Sequence, residues 1–280
     1  MINPLSDPLV ENVIVDPVGE VVRLDATPEG VAIVTIDRPE RRNALNRLAV
    51  EGLTQAFETL QGASGVRVVF LRGAGGHFCA GADLAEMKIA LANWTEVDRR
   101  GDAEAFAALL RTIEETPAVT VALCQGAARG LGVGLAVACD LAVATADATF
   151  GFPEAKLGLL PAVSAPYVAR AVGWREARWL LLTGEIVEAA RAERIGLVGE
   201  VAADTAELDK AMDRVVDRVM TSAPGAVAEI KRLVLEMRDR PLDATTLEAA
   251  ARRSADVRGS AEAREGVAAY LERRRPPWLD

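Results

Sequence analysis

Residues 125–140 read QGAARGLGVGLAVACD, four glycines (Gly126, Gly130, Gly132, Gly134) set between two apolar runs. The run before them, Val119–Leu123, has the length and composition of a strand. Leu131–Ala138 reads as a short buried helix and Leu141–Ala144 as a further strand. Strand, helix and strand at this spacing make a βα unit, and such units build a mostly parallel sheet buried on both faces. The glycines admit three readings. A dinucleotide loop of the form G-x-G-x-x-G needs glycine at 135, where the chain has Leu135, and a P-loop needs Gly-Lys-Ser/Thr, which is absent. Gly132 could instead let a helix pack closely on a strand. A glycine-rich turn at a helix start also exposes N–H groups where the helix dipole favours negative charge. Such groups can stabilise an anion that forms only during a reaction. The last two readings stay open.

Outward from this stretch, Val31–Ile36 (VAIVTI) and Val66–Leu71 (VRVVFL) are strand-like, the first closed by the turn signal Asp37-Arg38-Pro39. Between them Asn46 is placed to cap a helix running to Leu60, with Leu48, Leu53, Phe57 and Leu60 at helical spacing. The loop RGAGGHFCAGAD ends in Asp83, a capping residue for the next helix. Residues 84–116 read as helical but polar, and as a mobile segment. After Pro161 the pattern turns helical: Ala165–Val172, Glu176–Leu182 and Ala189–Ile195. An amphipathic stripe follows (Leu208, Met212, Val215, Val216, Val219), then helices starting at Pro224 and spanning Leu242–Val257 and Ala261–Glu272. This divides the chain into an α/β core over 1–205 and a helical region over 206–280. The late helices carry too few apolar positions to fold alone, so they are expected to pack on the core or on another subunit.

Of 280 residues half are apolar and only 4% aromatic, as in an Ala/Val/Leu-rich α/β protein. A net charge of −9 argues against nucleic-acid binding, which needs a basic patch. Cys79, Cys124 and Cys139 lie in apolar or glycine-rich settings without C-x-x-C spacing, which suits reduced thiols in the cytoplasm. The N-terminus MINPLSDPLVENVIVDP lacks the basic start and apolar core of a signal peptide. No run approaches the roughly 20 apolar residues of a membrane span.

One carboxylate stands out. Glu154 lies among Phe150, Phe152, Pro153, Leu157 and Leu159, surroundings that raise a carboxyl's pKa toward the range of a general acid/base. Equally, it could be a surface residue paired with Lys156. His77 is the only histidine and has no serine partner, so it reads as structural. Asp140 reads as a buried hydrogen-bonding residue, and no group has metal-ligand spacing. Two glycine-rich loops after neighbouring strands could also aim two N–H groups at one carbonyl oxygen, as an oxyanion hole does.

Six segments in chain order resemble the enoyl-CoA hydratase/isomerase (crotonase) superfamily: RPERRNALN (38–46), HFCAGADL (77–84), QGAARGLGVGLAVACD, FGFPEAKLGLLP (150–161), LTGEIVEAARAERIGLVGEV (182–201) and EGVAAYLERRRPPW (265–278). The resemblance implies a ββα-spiral core with C-terminal helices that form homotrimers, often hexamers as dimers of trimers. It implies acyl-CoA thioester substrates, with coenzyme A as part of the substrate and no metal or redox cofactor. By position, the N–H groups of Ala82 and Leu131 form the oxyanion hole and Glu154 is the catalytic glutamate. Arg38, Arg42, Ala44, Ala80, Ala82, Asp83 and Arg275 border the CoA, with Arg273 an alternative to Arg275. Family hydratases commonly place a second glutamate where this chain has Gly134. The usual glycine-rich stretch after the catalytic glutamate is replaced by Ala162-Val163-Ser164-Ala165-Pro166-Tyr167, which resembles methylglutaconyl-CoA or carboxygeranoyl-CoA hydratases. The implied activity is hydration of a 2-enoyl-CoA. The alternatives are a Δ3,Δ2-enoyl-CoA isomerase working with one glutamate, or an acyl-CoA-binding member without catalysis.

Overall fold

In chain order the strands are β1 (Val22–Ala26), β2 (Val31–Ile36), β3 (Val68–Gly73), β4 (Val119–Cys124), β5 (Ala127–Arg129), β6 (Leu141–Thr145), β7 (Thr149–Gly151), β8 (Ile186–Glu188) and β9 (Glu200–Ala202). They belong to a computed structural model that describes residues 21–279, so the N-terminal stretch read above for a signal peptide lies outside the described residues. Six strands form the main sheet in the order β1-β2-β3-β4-β6-β9. β1 runs antiparallel to β2, and every other pairing in that sheet is parallel. A small second sheet, β5-β7-β8, stands beside it.

The burial pattern explains the sheet. All six residues of β2 are buried, as expected of a parallel strand covered on both faces. Residues of one parity (Ala32, Val34, Val69, Leu71, Ala122) face α1 (Arg47–Gly62), the end of a later helix, α3 (Glu96–Glu115), and α4 (Leu131–Ala138). Residues of the other parity (Ile33, Phe70, Val121, Leu123) face Leu208, Ala211 and Met212 of α7 (Thr205–Met220). The amphipathic stripe at the start of the helical region therefore covers the second face of the sheet. Asn46 caps α1, its side chain accepting from Ala49 N at 3.0 Å. Leu48, expected on the inner face, is 53% exposed. It lies in the first turn, and the buried stripe is Ala49, Val50, Leu53, Ala56, Phe57 and Leu60.

Residues 84–116, expected to be helical and polar, form two capped helices. α2 (Leu84–Asn93) starts at Asp83, and α3 starts at Thr95 with a reciprocal capping box between Thr95 and Asp98. The two helices expected between Ala165 and Leu182 join as α5 (Ala165–Thr183), broken at Gly173, whose φ of 78° is not helical. α6 (Ala189–Arg194) follows, and after α7 come α8 (Pro224–Met237), α9 (Ala244–Arg258) and α10 (Ala261–Glu272). α8 is anchored by Lys231, whose Nζ donates to Ala118 O at 3.0 Å and to Asp140 Oδ2 at 2.6 Å. Among the described residues no helix is long and apolar enough to cross a membrane.

Candidate active site

Glu154 lies in a 3₁₀ turn, Pro153–Leu157, that follows β7. Its carboxylate reaches the start of α4: a Cβ placed on Gly130 would lie 2.3 Å from Glu154 Oε1. Gly130 N donates to Gly151 O at 2.9 Å, which clamps the helix start to the strand that delivers the glutamate. Glu154 Oε2 is buried with no hydrogen-bond partner. Burial pushes the Glu154 carboxyl above its ordinary range, because losing solvent disfavours the charged form. Pairing with Lys156, the competing expectation, does not occur, since Lys156 Nζ donates to Gly184 O at 2.8 Å. A buried carboxylate with a free oxygen and a raised pKa has the character of a general base.

The two glycine-rich loops meet at the same place. Cys79 and Ala128 form a parallel bridge, with Cys79 N donating to Ala127 O at 3.1 Å and Arg129 N to Cys79 O at 2.9 Å. A side chain at Gly132 would put its Cβ 2.3 Å from Cys79 O, so only glycine permits this approach. The close-packing reading of Gly132 is thus correct, and it serves the second reading. With the loops this close, a Cβ placed on Gly81 would lie 3.7 Å from Leu131 N. The N–H groups of Ala82 and Leu131 donate to no acceptor among the described residues. Leu131 is the first residue of α4, where an amide has no intrahelical partner. Gly130 before it adopts φ 50° and ψ −115°, a conformation that glycine supplies and that turns the amide out of the chain path.

The residues expected near CoA divide. Arg38 turns inward: its guanidinium pairs with Asp83 Oδ2 at 3.0 Å and also donates to Ala44 O. Both side chains of that pair are nearly buried, at 12% and 11% exposure. Asp83 accepts from Ala85 N and Glu86 N as the cap of α2. Arg42 is exposed and left-handed (φ 52°), and its carbonyl accepts from Ala80 N at 2.9 Å, joining the 38–46 turn to the first loop. Arg275 is exposed beyond α10, and no hydrogen bond or ion pair among the described residues ties it to that turn. His77 Nδ1 accepts from Ala127 N at 3.1 Å, a structural link between the loops. Asp140 bonds Thr120 and Lys231 as a hydrogen-bonding residue should, but it is exposed rather than buried. Burial pushes the Cys79 thiol up to about 12, so the sulfur beside the site is no nucleophile.

Residues 26–280 match the sequence profile described as enoyl-CoA hydratase/isomerase. The chain belongs to the enoyl-CoA hydratase/isomerase family. It is 36% identical over 249 residues to a Thermus thermophilus protein whose assignment as an enoyl-CoA hydratase is provisional, covering 88% of this chain and 96% of that protein. Among solved structures it resembles Pseudomonas aeruginosa AtuE, with 38% identity, TM-score 0.88, and coverage of 93% of this chain and 100% of AtuE. An enoyl-CoA hydratase from Shewanella pealeana is similar at 32% identity and TM-score 0.88, covering 92% of this chain and 96% of that one. The expected crotonase-like α/β fold is therefore the fold of this family member.

In this enoyl-CoA hydratase/isomerase chain, Ala82, Leu131 and Glu154 are drawn from three separate loops to the start of one helix. Ser164, part of the Ala162–Tyr167 stretch that replaces the family's glycines, had no role assigned to it by pattern. It is 2% exposed, and its Oγ would lie 2.5 Å from a Cβ placed on Gly134. Gly134 itself is buried in α4, one turn after Gly130.

Proposed function

We propose that the protein adds water across the 2,3 double bond of a 2-enoyl-CoA thioester. The observation that carries this reading is the buried, unpartnered Oε2 of Glu154 at the helix start that also presents the free amide of Leu131. The thioester oxygen would accept from Ala82 N and Leu131 N. Glu154 would take a proton from water as the oxygen attacks C3, and the electron pair of the double bond would move onto the thioester oxygen as an enolate. The enolate then collapses and C2 takes the proton back from Glu154, so both hydrogens of the water end in the product, one on oxygen and one on C2. A single carboxylate on one face makes the addition syn. So written, the reaction requires neither a metal nor an electron carrier; coenzyme A enters only as part of the substrate. Losing one oxyanion donor costs about 10²–10³ in rate in comparable sites.

Arg42 and Arg275 remain the candidates for the CoA phosphates. Arg38 is better read as a residue that holds the turn, since its guanidinium is already engaged by Asp83. One observation favours a second reading: Gly134 leaves Glu154 without a partner carboxylate on α4. A Δ3,Δ2-enoyl-CoA isomerase needs only one base, which would carry a proton from C4 to C2. We further propose that the helices after residue 205 mediate a homotrimer or hexamer, for which the exposed Ile230, Val234, Leu242, Val267, Tyr270 and Leu271 supply apolar surface. The three buried free cysteines suit a cytoplasmic protein. Incubation with crotonyl-CoA, a 3-enoyl-CoA and 3-methylglutaconyl-CoA, with products identified by mass, tests the reading. Hydration appears as an 18 Da gain, while isomerisation leaves the mass unchanged and moves the double bond.

A further inference from the structure

We propose that the Ser164 hydroxyl positions the attacking water beside Glu154. This rests on the hydratase reading and adds a group to it. Ser164 stands at the start of α5, is 2% exposed, and makes no capping hydrogen bond. No described residue accepts from or donates to its Oγ. A hydroxyl that bonds nothing in the fold does no structural work that alanine could not do. A Cβ placed on Gly134 would meet Ser164 Oγ at 2.5 Å, so the hydroxyl stands against a residue of α4 that carries no polar side chain. Its partner is therefore one that arrives with the reaction.

The placement identifies that partner. Ser164 Oγ lies against Gly134 and Glu154 Oε1 lies against Gly130, and Gly134 N donates to Gly130 O at 3.1 Å. The two glycines are one helical turn apart, roughly 6 Å along the axis. The hydroxyl and the carboxylate therefore flank the same turn of α4, and the attacking water is assigned to the space beside them. The hydroxyl cannot act as the base at neutral pH, so Glu154 keeps the proton transfer and Ser164 holds the water's orientation. The same packing means that a side chain at 134 must displace the Ser164 hydroxyl, since its Cβ would sit 2.5 Å from Oγ.

The test is steady-state hydration of crotonyl-CoA by the full chain, with melting temperature measured in parallel. Ser164→Ala should lower kcat roughly tenfold, the effect of one hydrogen bond, with KM and Tm nearly unchanged. The exchange variant Gly134→Ser/Ser164→Gly, which returns a hydroxyl from the α4 side into the vacated space, should recover part of that kcat. An unchanged kcat in Ser164→Ala overturns the proposal. So does a loss of kcat that tracks a fall in Tm and is not recovered by the exchange. If the wild-type chain hydrates no 2-enoyl-CoA, the hydratase reading fails and the role of Ser164 falls with it. If the wild type hydrates and Ser164→Ala does so equally, only the role of Ser164 fails.

Discussion

The surroundings of Glu154 oppose its charge, which suits the role of base proposed for it. Burial raises the carboxyl above its ordinary range and outweighs the backbone N–H that pulls the other way, while Oε2 is left without a partner. A general base must be ionised, so kcat/KM should rise with pH through this elevated value and level off above it. An acid limb centred at or below the ordinary glutamate range, measured on crotonyl-CoA, would contradict this. For stability the sign reverses: the folded state prefers the protonated form, so Glu154 weakens the fold as pH climbs past its unfolded value. The glutamate was legible in the sequence because five apolar residues surround it between positions 150 and 159. Its partners were not. Whether it met Lys156 or the start of α4 depended on how the turn after β7 folds, and a quoted stretch holds no such information. Ser164 was legible only as part of a departure from the family's glycine-rich stretch, because the glycine it touches is distant in sequence.

At the scale of elements, the long strands and capped helices could be read directly. β2 is β-branched at every position but Ala32, and α1 carries both its cap and its apolar stripe. The strands missed by pattern are β1, β5, β7, β8 and β9, and the last four have three residues each, too few for any periodicity to show. Two of them, β5 and β7, are the ones that bring the second glycine-rich loop against the Glu154 turn. α2 depends on Asp83, which caps it and pairs with Arg38. Burial raises the Asp83 carboxyl, but the Arg38 hydrogen bond and the helix amides outweigh it, and the net value lies below the ordinary range. That stabilisation is complete above the unfolded pKa and is lost as pH falls through the folded one. Asp83→Ala removes a cap and leaves Arg38 unpaired and nearly buried, which should cost about 3–5 kcal/mol at neutral pH. Urea unfolding at pH 7 checks it. A loss under about 1 kcal/mol, as for an exposed pair, would show that the pair is not buried in solution.

Across the whole molecule, α7 closes the second face of the sheet, and α8 is latched by Lys231 to Ala118 and Asp140. Beyond that latch the surface becomes apolar again. Tyr270 is 84% exposed and Leu271 74% exposed on α10, Val234 61% on α8, and Trp174 75% on α5. These side chains would supply the apolar surface of the oligomer proposed above. Light scattering coupled to gel filtration should therefore give three or six times the chain mass of 29.7 kDa. A monomer at micromolar concentration would contradict the oligomer proposed here. The sequence already indicated that the last helices could not fold alone. It did not show that the first of them, α7, belongs to the sheet.

The proposed chemistry turns on one group, the Glu154 carboxylate. The most direct test is Glu154→Gln, which keeps shape and removes the base. Turnover of crotonyl-CoA should fall by about 10²–10⁴, while binding of a saturated acyl-CoA, measured by calorimetry, should stay within a few-fold of wild type. Full activity in Glu154→Gln would contradict the account, whatever the fate of binding.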